Sequence, residues 1–95
     1  KARIWAIADR ESGMQHCWPS GRVKVSATND YGLLQFNGAG VWRNCAVNPH
    51  CKEPGMINDV AAQVDVMLNY FDRYGDLCPW NPDPVGNYAP GCGYR

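Results

Sequence analysis

The glutamates of this chain are Glu11 and Glu53, and they occupy very different settings. Glu53 stands between Lys52 and Pro54 in a loop, where it reads as a solvated surface charge. Glu11 falls on the apolar stripe of an amphipathic segment, close to its C-terminal end. There the negative pole of the helix dipole and partial burial both penalise a carboxylate and raise its pKa. A protein keeps such a residue because a cation such as Arg10 or Lys24 neutralises it, or because a proton donor near neutral pH is wanted. Asp30 ends the polar turn Ala27-Thr28-Asn29 directly before the apolar Tyr31-Gly32-Leu33-Leu34, which sets a second carboxylate outward at the mouth of a hairpin. One protonated, partly buried acid beside one hydrated, ionised carboxylate is the pairing that glycoside hydrolysis uses. The first protonates the leaving oxygen and the second meets the oxocarbenium-like carbon. An aspartate in a turn also commonly caps its own backbone, so this reading holds only if both groups share a site.

The elements that must position these groups follow from periodicity. Over 2–12, Ile4, Trp5, Ala8 and Glu11 form one stripe of a helix, with Trp5 in the core and Gly13 as the stop. Val23 and Val25 alternate with Arg22, Lys24 and Ser26, the pattern of a short strand with a polar outer face, and 27–30 makes the turn of a small hairpin. The cluster 37–40 breaks the apolar run 31–36 before a helical turn at 41–44. Residues 48–55 are a loop pinned by Pro49, Cys51 and Pro54. The strongest helix is 57–74, with Ile57, Val60, Ala61, Val64, Met67, Leu68 and Phe71 as its core stripe and Gly75 as its end. Beyond it, Pro79, Pro82, Pro84 and Pro90 exclude extended regular structure, and Cys78 and Cys92 are placed to tie the tail down.

A chain of 95 residues supports one domain and one core. With 45% apolar and 19% charged residues it falls in the globular range. No apolar run approaches the roughly 20 residues of a membrane-spanning helix. Nine basic residues balance nine acidic ones without blocks of either sign, which removes the footprint of a nucleic-acid or anionic-membrane partner. A ligand must then be held by hydrogen bonds and flat apolar contact, which four Trp and five Tyr can supply to a sugar or, equally, to a core. Trp42 is as well placed to pack as to stack on a sugar, and Trp18, Tyr31, Trp80 and Tyr88 in loops or at strand edges are candidate platforms. Five cysteines point to an oxidising, extracytoplasmic setting, with Cys45 and Cys51 close enough to pair and one thiol left over. A zinc site from His16, Cys17, Cys45, His50 and Cys51 is the weaker reading, since no C-x-x-C pair is present; the two histidines read as exposed loop residues. The sequence begins at Lys1 without Met or leader, as expected of a processed product or a domain of a longer protein.

Glu11-Ser12-Gly13, followed by Ala27-Thr28-Asn29-Asp30-Tyr31-Gly32-Leu33-Leu34-Gln35-Phe36-Asn37 and then Trp42, resembles the catalytic stretch of the lysozyme superfamily. That group includes animal lysozymes, phage muramidases, lytic transglycosylases and actinobacterial resuscitation-promoting factors. The similarity covers residues 2–45; the helix 57–74 with Gln63 is compatible with it, and 87–91 is similar to the Tyr-containing segment of the transglycosylase groove. The resemblance implies a single α+β domain over 1–95, lysozyme-like and mainly helical, with a small β-hairpin and a cleft between hairpin and helices. It implies cleavage of the β-1,4 bond between N-acetylmuramic acid and N-acetylglucosamine in peptidoglycan, without metal or organic cofactor. Glu11 becomes the general acid, and Asp30 the second carboxylate of the animal-type enzymes, where it precedes Tyr-Gly. Gln35 matches the glutamine of the Gly-Leu-Met-Gln motif of transglycosylases. Asn37 departs from the goose-type pattern, which has Asp there; an amide can orient water or an N-acetyl group but cannot act as base. The candidate substrate contacts are Tyr31, Gln35, Asn37, Trp42 and Tyr88. If Asp30 pointed away, Glu11 would serve as acid and then base, and the product would be an anhydro sugar. The expected setting is a monomeric, secreted, wall- or virion-associated domain of a larger phage or bacterial protein, its zero net charge leaving wall targeting to other domains. The alternative from another class is a lysozyme-shaped sugar-binding or structural domain without turnover.

Overall fold

The structure, a computed structural model, describes residues 2–80. Tyr88, Cys92 and the rest of the proline-rich tail lie outside the described residues. Helix α1 spans Ala2–Ser12, and helix α2 spans Val60–Tyr74. Between them strands β1, Asp30–Tyr31, and β2, Phe36–Asn37, pair antiparallel with Asp30 opposite Asn37 and Tyr31 opposite Phe36. Short 3-10 turns cover Val41–Arg43, Pro54–Asn58 and Cys78–Trp80. The fold class is α+β, as expected.

Helix α1 turns Ile4, Ile7 and Ala8 into the core together with Ser12, spacings that place them on one face. Trp5 is not in that core: it is 50% exposed. One residue on from Ile4 means about 100° around the helix, which carries the indole to the flank of the buried face.

The expected hairpin at 23–30 is present in reduced form. Val25 bridges Tyr31, Cys17 bridges Val23, and Ser26 N–H donates to Asp30 C=O at 2.9 Å, closing the predicted turn. Regular pairing falls instead on 30–31 and 36–37, and Val25 is exposed. The reason lies in the segment 32–35, which folds back as a second tight turn with Gly32 at φ 73° and Gln35 at φ 52°. A Cβ on Gly32 would meet His16 Cε1 at 2.4 Å and Gln63 Nε2 at 2.6 Å, so both backbone angle and space require glycine there.

Helix α2 begins later than expected, because Pro54–Asn58 forms its own 3-10 turn and the Asp59 side chain accepts the Ala62 N–H as N-cap. It ends where expected, with Gly75 left-handed and its N–H on Phe71 C=O at 2.7 Å. Its buried face differs from the expected stripe. Ala62, Gln63, Val66 and Met67 face inward, while Val60, Leu68 and Phe71 are exposed. The decisive residue is Gln63, 0% exposed, whose Nε2 donates to Tyr31 C=O and Ile57 C=O at 2.7 Å each and whose Oε1 accepts Leu34 N–H at 2.9 Å. With every bond made, burial of this amide is not penalised, and it rotates the helix away from the purely apolar solution.

The core gathers Leu33, Leu34, Phe36, Trp42, Val47, Ile57, Leu77 and Trp80 around these helix faces. Phe36 sits edge-on to both Trp42 and Trp80, with centroids 5.4 and 5.2 Å away. Cys45 and Cys51 form the expected disulfide, with Cα atoms 5.2 Å apart.

Candidate active site

An open-sided cleft of about 550 Å³ is lined by Glu11, Asp30, Gln35, Phe36, Asn37, Gly40, Val41, Tyr70, Pro79 and Trp80. It brings the last turn of α1, both β-strands, the inner face of α2 and the 3-10 turn Cys78–Trp80 to one place. Its lining combines the carboxyl and amide groups of Glu11, Asp30, Gln35 and Asn37 with the rings of Phe36, Tyr70 and Trp80. This mixture suits a ligand that is polar at its rim and flat on its faces.

Glu11 is half-buried at the C-terminal end of α1. Burial pushes its carboxyl above the ordinary glutamate value; Arg10, 3.9 Å away, opposes the rise, and the charge of Asp30 adds to it. Arg10 is itself engaged, donating through Nη2 to Trp80 C=O. Next in the chain, Ser12 donates from Oγ to Ala8 C=O at 3.0 Å and to Leu33 C=O at 2.7 Å, fastening this helix end to the 32–35 turn.

Asp30 was expected as an outward carboxylate at the mouth of the hairpin. It is half-buried and lines the cleft. Its Oδ2 accepts from Ser26 Oγ at 2.8 Å and from Thr28 Oγ1, and its Oδ1 accepts from Asn37 Nδ2 at 3.1 Å. The turn cap is Ser26, whose Oγ accepts the N–H of Thr28 and of Asp30, so Asp30 is released from the capping duty that turn aspartates often have. Three donors converge on an acceptor and hold it in one orientation.

Asn37 faces Asp30 across the strand pair. Its Nδ2 is shared between Asp30 and Thr28 C=O, at 3.0 Å from the latter, and its Oδ1 accepts the Ala39 N–H at 2.9 Å. The amide is thus engaged in holding Asp30. Gln35 lines the cleft and donates through Nε2 to Gly32 C=O at 2.8 Å.

Of the other sequence candidates, Tyr31 is partly buried against the core and does not line the cleft. Trp42 is 2% exposed and packs edge-on against Phe36, so it resolves as core; among the described residues its Nε1 has no hydrogen-bond partner. Trp18 is exposed, with the Lys24 ammonium 4.4 Å from its ring centroid. Among the described residues no group of three or more His, Cys, Asp or Glu side chains is arranged to hold a metal ion. No described helix is long and apolar enough to cross a membrane.

Sequence reasoning missed Tyr70, and it named Trp80 only as one of several loop aromatics. Tyr70 continues the inner face of α2 from Gln63, Val66 and Met67 and stacks edge-on to Trp80 at 5.7 Å. An amphipathic ring at the end of a buried helix face is the available signal, legible only once that face is set correctly. No family model, curated protein or solved structure matches this chain significantly.

Proposed function

We propose that this chain is a lysozyme-like glycosidase domain that cleaves the β-1,4 bond between N-acetylmuramic acid and N-acetylglucosamine in peptidoglycan. The observation that carries the reading is the shared placement of two unlike carboxyl groups in one cleft. Glu11 is driven toward its protonated form by burial, and Asp30, held by three donors, lines the same cleft. The motif resemblance over residues 2–45 supports the same reading.

In this mechanism the Glu11 carboxyl delivers its proton to the glycosidic oxygen as the C–O bond breaks. Positive charge develops at the anomeric carbon, and Asp30 stabilises it electrostatically or by a covalent bond. Water then adds to that carbon while Glu11 takes back a proton, which leaves a new reducing end. The rings of Tyr70 and Trp80 in the cleft lining give the sugar faces a surface to lie on. The disulfide is consistent with an extracytoplasmic setting.

The test is Glu11→Gln assayed on purified peptidoglycan. Release of reducing ends is expected to fall at least about 100-fold while sedimentation with the wall is retained. Wild-type protein that binds the wall and releases no fragments would establish the non-catalytic sugar-binding alternative. Mass spectrometry of the products separates hydrolysis from transglycosylation, since an anhydro sugar is lighter by one water.

A further inference from the structure

His16 was expected to be an exposed loop residue, and instead it is half-buried between three elements. The Leu33 N–H donates to its Nδ1 at 2.9 Å, and its Nε2 lies 2.5 Å from Asn58 C=O. One partner can only donate and the other can only accept, so the ring must be neutral with its proton on Nε2. His16 backbone C=O also accepts Lys24 N–H at 2.9 Å, and Lys24 C=O accepts Gly32 N–H at 2.7 Å, so the His16 backbone is linked to the 32–35 turn independently of the ring.

We propose that His16 is a positioning residue whose neutral imidazole holds the 32–35 turn, and through it the cleft residues Gln35, Phe36 and Asn37, and that its protonation releases that turn. A second proton would place Nδ1–H against Leu33 N–H, two donors facing each other, so the charged ring cannot keep this bond. Leu33 joins the ring to the end of α1. Its C=O is held by Ser12, the neighbour of Glu11, and the turn it belongs to delivers Gln35, Phe36 and Asn37 to the cleft. Among the described residues, the charged groups on the elements around the ring already have other partners. The turn itself, 32–35, contains no ionisable side chain. On the α2 side Asp59 is committed to the Ala62 N–H, and on the hairpin the Lys24 ammonium is directed to Ser12 C=O at 2.7 Å and to the Trp18 ring. Cys17 is the chain neighbour, and Glu11 faces the cleft.

The effect on turnover rests on the proposed glycosidase reading; the clamp itself does not, and NMR on the whole chain tests it directly. With the protein 15N-labelled, His16 is expected as the Nε2–H tautomer at neutral pH. As its ring takes up a proton, the Leu33 backbone amide and the Gln35 side-chain amide should shift with the same midpoint. In His16→Gln, which offers an acceptor and a donor without titrating, those linked shifts should vanish. On peptidoglycan, wild-type kcat should fall roughly fivefold across the same midpoint, as the loss of one hydrogen bond would produce, while His16→Gln shows no such step. A proton on Nδ1 at neutral pH, or Leu33 and Gln35 signals that ignore the His16 titration, would overturn the clamp, and the wild-type spectra alone decide this. Linked shifts in a protein that releases no fragments would uphold the clamp and sink the glycosidase reading.

Discussion

At Glu11 the desolvation that suits a proton donor also works against the fold. The carboxyl is raised above its ordinary 4.5 in the folded state, so between that value and the raised one the folded chain binds more protons than the unfolded chain. Stability from this group is therefore intact below about pH 4.5 and declines as pH rises through the folded value. Glu11→Gln is expected to unfold at higher denaturant than wild type at pH 7, with the difference shrinking to nothing near pH 4; equal midpoints at pH 7 would contradict the raised carboxyl. The proposed glycosidase reaction would use the same proton, so on that proposal wild-type activity is expected to decline on the alkaline side as Glu11 ionises. Asp30 and Asn37 show how little of a site is visible one residue at a time. Asp30 gains its orientation from Ser26, Thr28 and Asn37, and Asn37, which lacks the acid of the goose-type pattern, serves here to steady the acid opposite.

Among the elements, α2 is where pattern and structure part. Its most hydrophobic stripe, with Val60, Leu68 and Phe71, faces outward, and the buried face is built on Gln63. Mutation separates the two faces cleanly. Met67→Ala, at a side chain with no exposed surface, is expected to cost about 2–5 kcal/mol in equilibrium unfolding. Phe71→Ser, on the exposed face, should change stability by no more than about 0.5 kcal/mol. The reverse ranking would mean that the stripe of greatest hydropathy is the one that packs. Helix α1 follows the simpler rule, because Ile4, Ile7 and Ala8 are apolar and no buried amide competes to orient it.

For the molecule as a whole, a core of this size leaves a narrow margin, and the Cys45–Cys51 disulfide adds to it by restricting the unfolded chain. The loop it closes is short, so Cys51→Ser is expected to lower unfolding free energy by only about 2 kcal/mol, a fall of several degrees in Tm. A calorimetric scan with no change on reduction would show the bridge to be idle. Both helices, the left-handed stop at Gly75, the turn at 27–30 and this disulfide were legible in the sequence, because each is specified by neighbours: periodicity, a glycine, a polar cluster, two close cysteines. Glu11 and Asp30 were legible as carboxyl groups in unlike surroundings for the same reason. What only the tertiary structure decided was direction: Trp5 outward, Trp42 inward, Asp30 into the cleft, Tyr70 and Trp80 beside it, and His16 wedged between Leu33 and Asn58. Those outcomes depend on which buried polar groups find partners far along the chain. Gln63 meets Tyr31, Leu34 and Ile57, and a hydrogen bond between distant residues leaves no periodic trace in the sequence that makes it.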